Sequence, residues 1–348
     1  MKKLLCFAVG VVAAIAQAQE PAHHWAIEVH AGAGNIAHAT TDAKAEAKYR
    51  AKLNEAMAAG AAVLDRGGTS LDAVEATIHV LEDSGIFNTG RGAVFNADGH
   101  VELDAAIMDG ATLKAGAVSA VQHAPSPIAL ARAVMEKSPY VMLTAEGADK
   151  FAEEIGIPLV PNSTFYTERQ WQGLVRTLKQ QGKPVPPRPA ELPAPAKPVA
   201  LLPWMDQTWH GTVGVVARDR AGNLAAGTST GGLSAKHAGR VGDTPVIGAG
   251  TYAANGICAV SGTGVGEYFI RLGVAREVAN LIRFEHKTAQ QAADAVIHKE
   301  LEAMKGDGGV IVMPAEGDPV WSFNTNGMFR ARRVEGGKPL IALYNDEP

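Results

Sequence analysis

The sequence predicts a mixed α+β fold in which strands and helices are interleaved. Short apolar runs bounded by glycine-rich turns are interleaved with longer, alanine-rich amphipathic stretches. Hydrophobic residues make up 47% of the 348 positions and charged ones 20%, which suits one large core or two closely packed halves and excludes a disordered or collagen-like chain.

The first element is a strand from Trp25 to Val29 that enters a tight turn at His30-Ala31-Gly32-Ala33-Gly34. A helix follows from about Asp42 to Asp65, stopped by Gly67-Gly68. A second begins at Thr69 or Ser70, with Asp72 in its first turn and Val74, Ile78 and Leu81 on one face. Strands are expected at Ala93 to Phe95, Glu102 to Met108 and Ala115 to Val121, and helices at Pro127 to Lys137 and Glu146 to Glu154. Between Lys183 and Pro203 eight prolines rule out a helix or central strand and predict an exposed, partly polyproline-like linker. Directly after it, Thr212 to Ala217 and Leu224 to Thr230 flank the turn Asp219-Arg220-Ala221-Gly222-Asn223 and read as a hairpin. A strand at Ile257 to Ser261, a helix from Glu267 to Ile282, a helix opened by Thr288, and strands including Gly309 to Met313 and Val320 to Phe323 complete the chain.

Composition narrows the function. The net charge of -4 comes from 36 acidic and 32 basic residues that are well mixed, so no basic field exists to hold nucleic acid. Residues 1 to 18 read as a secretory leader, with Lys2 and Lys3, an apolar run from Leu4 to Ile15, and the small-x-small site Ala16-Gln17-Ala18. That run is about a dozen residues, against roughly 20 for a spanning helix, so the expectation is a periplasmic or secreted protein without a membrane anchor. Removing the leader removes Cys6 and leaves Cys258 alone, without an internal disulfide.

Two glycine-rich turns invite a nucleotide-binding reading. After Gly32-Ala33-Gly34 the helix starts too late to offer its N-terminus to a pyrophosphate. In Gly262-Thr263-Gly264-Val265-Gly266-Glu267 the third fingerprint glycine is replaced by Glu267, whose charge repels phosphate. Neither turn carries the lysine of a P-loop. The eleven histidines lack metal-ligand spacings, there is no Gly-x-Ser-x-Gly elbow, and Cys258 lies in a strand-like run that suits a buried structural thiol. A remaining route to a nucleophile is a threonine that becomes a chain N-terminus, because its α-amine titrates at about 7.7 to 8.0 and can serve as its own general base. His210-Gly211-Thr212-Val213-Gly214 has the parts: Gly211 permits the twisted peptide that brings the Thr212 hydroxyl to the preceding carbonyl, and the linker can move away after the cut.

Eight ordered blocks give the junction its context: His30 to Gly34; Phe87-Asn88-Thr89-Gly90-Arg91-Gly92-Ala93-Val94-Phe95; Leu103-Asp104-Ala105 with Met108-Asp109-Gly110; Gly211 to Gly214; Thr228-Ser229-Thr230-Gly231-Gly232; Gly239-Arg240-Val241-Gly242-Asp243-Thr244-Pro245; Gly262 to Glu267; and Phe323-Asn324-Thr325-Asn326-Gly327-Met328. With these the mature chain, apart from the linker, resembles the isoaspartyl peptidase/L-asparaginase family of N-terminal-nucleophile hydrolases. The resemblance implies a four-layer αββα sandwich, cut into an α subunit (19–211) and a β subunit (212–348), with two such αβ units forming a dimer. It implies cleavage between Gly211 and Thr212, Thr212 as nucleophile beside Thr230, and an oxyanion hole from the Thr263 hydroxyl and the Gly264 N–H. Arg240 would hold the substrate α-carboxylate and Asp243 its α-amine, within a site formed also by Val241, Gly242, Val265, Gly266 and Asn88. No catalytic cofactor is implied.

A structural sodium ion is implied in the loop carrying Leu81, Glu82, Ser84, Phe87, Thr89 and Arg91, largely through backbone carbonyls, the ligands a hard cation prefers. The sequence departs from the family at Ala31, where glycine is common, at Asn326, where an acidic residue is common, and at Arg91, where an apolar one is common. These bear on substrate preference rather than on the nucleophile. Two other functions fit parts of the pattern: a glycosylasparaginase-type activity, which needs room for a sugar, and a non-catalytic periplasmic amino-acid binding protein, which would use Arg240 and Asp243 but remain one intact chain.

Overall fold

The computed structural model describes residues 24–36, 42–192 and 210–347, so the leader at 1–18 and the linker's second half lie outside them. The elements of the first half are β1 (Ala26–Gly34), α1 (Ala43–Asp65), α2 (Ser70–Asp83), β2 (Leu103–Asp109), β3 (Ala115–Val121), α3 (Pro127–Lys137), β4 (Met142–Thr144), α4 (Ala145–Glu154) and α5 (Glu168–Gln180). Those of the second are β5 (His210–Arg218), β6 (Leu224–Thr230), β7 (Thr251–Ala254), β8 (Cys258–Gly264), α6 (Gly266–Leu272), α7 (Val274–Glu285), α8 (Ala289–Ala295), β9 (Gly308–Pro314), β10 (Val320–Phe323), β11 (Gly327–Val334) and β12 (Leu340–Tyr344).

An eight-stranded sheet runs in the order β12-β11-β1-β5-β6-β2-β3-β4 and a four-stranded sheet in the order β10-β9-β8-β7. Pairing is antiparallel except between β3 and β4. Helices α1, α2 and α3 pack on the outer face of the large sheet, the sheets face each other through β1, β5, β6, β8 and β9, and α6, α7 and α8 pack against the small sheet. This is the αββα sandwich.

Burial on both faces explains why the central strands are apolar and small rather than cleanly alternating. Val213, Val215 and Ala217 of β5 join the core under the helices, with Leu53, Leu64, Val74 and Ile78, whereas Val216 joins the core between the sheets. Each large side chain buried in this way contributes roughly 1.5–3 kcal/mol.

Local chemistry sets the element ends. The Thr69 hydroxyl accepts from the Asp72 N–H at 3.1 Å to start α2, and Thr288 with Gln291 forms a full capping box at α8. Gly67, at φ +76°, follows α1 in the left-handed region that suits glycine.

Four expectations need correction. His30 to Gly34 is not a turn: β1 continues to Gly34, with a register shift between Ala31 and Ala33. Ala93 to Phe95 contributes only an isolated bridge from Phe95 to Val101, because the loop from Ser84 onward curls back on α2. The helix expected over Glu267 to Ile282 is two helices, broken at Gly273 with φ +63°. The described part of the proline-rich stretch, 183–192, has neither helix nor strand but is not simply exposed: Leu192 is buried, Val185 packs on the main core, and Arg188 pairs with Glu168 at 2.7 Å. Proline excludes the ladder hydrogen bonds while its neighbours remain free to bury apolar surface. Helix α5 and the short strands β4 and β7 are additional to the expected elements. Among the described residues no helix is long and apolar enough to cross a membrane.

Candidate active site

Strand β5 lies between β1 and β6, so the junction expected to be cut sits in the middle of the large sheet. His30 pairs with Gly214 and Ala31 with Val213, but Ala33 pairs with His210, leaving Gly211 and Thr212 opposite the single residue Gly32. Such a bulge re-aims side chains next to a site. Successive strand side chains point to opposite faces, so Thr212 and Gly214 of β5, Thr228 and Thr230 of β6, and Ser261 and Thr263 of β8 all turn toward the seam between the sheets. Hydrogen bonds bear this out: the Thr212 hydroxyl donates to Thr230 Oγ1 at 2.9 Å, and the Gly232 N–H donates to the same oxygen at 3.0 Å.

Thr212, buried to all but 8% of its surface, opens onto a cleft lined also by Thr230, Gly232, Leu233, Arg240, Gly242, Asp243, Thr244 and Gly264. The structure thus gathers Thr212, Thr230, Arg240, Gly242, Asp243 and Gly264 from the sequence expectation, and adds Gly232, Leu233 and Thr244. Asn88 stands behind the wall: its amide donates to the Gly232 carbonyl at 2.7 Å and its Oδ1 accepts from the Val94 N–H at 2.9 Å. Val241, Val265 and Gly266 are not wall residues, and Thr263 is fully buried at the end of β8. Gly266 acts by absence, since a Cβ there would lie 2.9 Å from both Arg240 Nη2 and the Asp243 nitrogen. Gly264 is constrained in the same way, with 2.4 Å to Phe269 and 2.6 Å to the Asp307 carbonyl.

Arg240 is held by Glu267, with Nε to Oε1 at 2.9 Å and Nη2 to Oε2 at 2.8 Å. Glu267, read from the sequence only as a charge that repels phosphate, therefore positions the pocket arginine. These bonds take the side edge of the guanidinium and leave the end edge, Nη1 with the second Nη2 hydrogen, outside the pair. The cue in the sequence was the Gly-Glu pair opening a helix beside an arginine loop. Its meaning depends on a tertiary approach that spacing does not reveal. Cys258 is a buried structural thiol, its pKa pushed up to about 12 by burial.

The loop expected to hold a cation coils tightly. The Arg91 N–H donates to the Glu82 carbonyl at 2.8 Å and leaves it a second lone pair, whereas the Leu81 carbonyl already accepts from both the Ser84 N–H at 3.3 Å and the Ser84 hydroxyl at 2.7 Å and does not fit a cation. A Cβ on Gly90 would meet the Glu82 carbonyl oxygen at 2.6 Å, and one on Gly92 the Phe87 oxygen at 2.9 Å, so backbone oxygens line a cradle that a side chain would fill. Phe87 and Thr89 are buried in this loop, whereas Arg91 is exposed and contributes backbone only. The Glu82 carboxylate takes no part, because it accepts from Ser126 and Ser229 hydroxyls at 2.6 and 2.7 Å and from the Ile128 N–H at 3.1 Å. Among the described residues no group of three or more His, Cys, Asp or Glu is placed to hold a metal.

Burial raises the Glu82 pKa from 4.5 to about 7. The folded protein then binds this proton more tightly than the unfolded chain, so the carboxyl's contribution is present at acid pH and is lost as pH rises through about 7. Melting temperatures of wild type and Glu82→Gln measured from about pH 5 to 8 should show wild type losing ground to the variant as pH rises. A difference that does not change with pH would mean the carboxyl is ionised throughout.

A protein-family profile described as asparaginase matches residues 23–342. The chain is 40% identical over 328 residues to an isoaspartyl peptidase of Salmonella typhimurium, covering 92% of this chain and 98% of that one. It is 40% identical to an isoaspartyl peptidase of Escherichia coli K12 and 42% identical to an isoaspartyl peptidase/L-asparaginase of Xenopus laevis, each over 321 residues, 92% of this chain and 96% of the relative. Matches of this extent, on a four-layer sandwich with Gly211-Thr212 at its central seam, show that the chain belongs to the asparaginase family of N-terminal-nucleophile hydrolases.

Proposed function

We propose that this enzyme matures by cutting itself between Gly211 and Thr212 and then hydrolyses L-asparagine and β-aspartyl dipeptides to L-aspartate through an acyl-enzyme on Thr212. The observation that carries the reading is the Thr212 hydroxyl, bonded to Thr230, opening directly onto a cleft lined by Arg240 and Asp243. In the precursor the hydroxyl attacks the Gly211 carbonyl, the peptide nitrogen leaves as the Thr212 amine, and water hydrolyses the resulting ester. In the mature enzyme that amine takes the Thr212 hydroxyl proton as the oxygen attacks the side-chain amide carbonyl of the substrate. The Gly264 N–H on the cleft wall and, as the family resemblance implies, the Thr263 hydroxyl buried just behind it receive the oxyanion, where each donor is worth about 10² to 10³ in rate. Collapse expels ammonia or an amino acid, which takes up the proton, and water releases aspartate from the ester.

Arg240 and Asp243 pair the α-carboxylate and α-ammonium, fixing the scissile amide one side-chain carbon away. The relatives' names support this substrate class. They do not favour glycosylasparaginase activity or a non-catalytic binding protein. We propose further that the protein is exported, on the strength of the leader at 1–18, and that two αβ units pair as a dimer, as the family resemblance implies. A sodium ion in the carbonyl cradle of residues 82–91 would hold the loop that carries Asn88 and supply no chemistry to the reaction.

Purified wild type should give two chains, the smaller beginning at Thr212, and turn over L-asparagine and β-Asp-Leu but not N-acetyl-asparagine, asparagine amide or α-linked Asp-Leu. Thr212→Ala should remain one inactive chain, and Thr263→Val should mature but lose about 10²-fold in turnover. Cleavage at 211/212 in the alanine variant, or efficient use of the acetylated substrate, would contradict the reading. For the cation, the melting temperature should rise saturably with sodium chloride relative to choline chloride at equal ionic strength. Identical curves would remove the ion.

A further inference from the structure

We propose that His30 is a positioning residue for the nucleophile, acting through the backbone carbonyl of Thr212 and never touching substrate. The inference rests on the reading of Thr212 as nucleophile. His30 lies fully buried in β1, with Nδ1 3.1 Å from the Thr212 carbonyl oxygen and Nε2 2.9 Å from Ser261 Oγ. A carbonyl oxygen can only accept, so Nδ1 carries the hydrogen, and Nε2 accepts from the Ser261 hydroxyl. Burial holds the ring neutral, with its pKa lowered to about 3.

The chain of bonds continues. Ser261 Oγ is 2.7 Å from Thr228 Oγ1, which is 2.7 Å from the hydroxyl of Thr251. The Thr251 hydroxyl also lies 3.2 Å from the carbonyl of Thr244, a cleft residue, and Thr228 lies 3.3 Å from the Gly250 carbonyl. Gly250 donates its N–H to the Asp243 carbonyl at 3.1 Å. With each hydroxyl donating once in the direction His30 sets, a buried polar chain runs from the nucleophile's strand through Ser261 and Thr228 to Thr251, and the Gly250 N–H next to Thr251 holds the loop of Asp243. Gly214 is the sequence's accommodation of it: a Cβ there would lie 2.0 Å from Ser261 Oγ and 2.3 Å from His30 Nε2.

The need for such a tether follows from the chemistry. Cleavage removes the covalent anchor on the amino side of Thr212, and the bulge opposite Gly32 interrupts the regular ladder there. The orientation of the new amine and of the hydroxyl is then set largely by the peptide that follows them, and His30 holds its carbonyl. A donor at this position acts on the geometry of attack rather than on substrate affinity.

The test compares His30→Asn, which keeps a donor at the Nδ1 position, with His30→Leu, which keeps the same branched shape without one. Cleavage at 211/212 is scored first, and then turnover of L-asparagine per cleaved chain. The leucine variant should either remain uncut or lose at least about 30-fold in kcat with KM within about threefold, while the asparagine variant is cut and stays within about fivefold of wild type. Long-range ¹H–¹⁵N spectra of wild type should show a neutral His30 protonated on Nδ1. Wild-type behaviour of the leucine variant, equal impairment of both variants, or an Nε2–H tautomer would overturn the proposal. Activity retained in Thr212→Ala would instead sink the reading of the nucleophile, and the two failures are separable.

Discussion

The arrangement depends on the register in which β5 is clamped between β1 and β6. Because β5 is central, Thr212 near its start cannot drift, and in this register it faces the seam between the sheets, next to the bulge opposite Gly32. Strand periodicity then does the rest. Thr230 arrives beside Thr212 from β6, and Ser261 and Thr263 face it from β8. A one-residue slip of β5 would send Thr212 to the helix side and Val213 into the cleft.

The same geometry concentrates polar groups where water is excluded. His30, Thr228, Thr251, Ser261 and Thr263 are all fully buried between two apolar layers, where an unmade hydrogen bond costs about 1–3 kcal/mol. The bonds around His30 and Thr228 are therefore made, and glycine appears where strand or helix must approach them. Gly214 admits the His30–Ser261 pair, and Gly266 brings the start of α6 against Arg240 and Asp243. At the rim Glu267 holds Arg240 by two charge-assisted bonds, which fixes the plane of the guanidinium on the cleft wall.

Much of the fold was legible because its signals are local. Thr69 and Thr288 cap the helices they were expected to open, Gly67 follows the end of α1, and the 212–230 hairpin carried its turn in plain view. What escaped reading was decided at a distance. Helix α5 buries Trp171, Leu174 and Leu178 on one face of an otherwise polar segment beside the proline-rich stretch, and β4 and β7 have only three and four residues. The junction alone was an ordinary strand start; only the family blocks gave Thr212, Thr230, Arg240 and Asp243 their roles. Glu267 and His30 were visible as motif residues, but their partners come from 27 and 231 positions away, and no spacing rule connects them.

Acylation of Thr212, and of no other hydroxyl of the seam, is tested most directly by acid-quenching the mature enzyme during turnover of a slow β-aspartyl amide and locating any adduct by mass spectrometry. An aspartyl ester on the N-terminal threonine of the 212–348 chain, formed in a burst and lost in step with product release, is the predicted result. An adduct on Thr230 or Thr263, or turnover with no adduct under conditions where ester hydrolysis is rate-limiting, would contradict it.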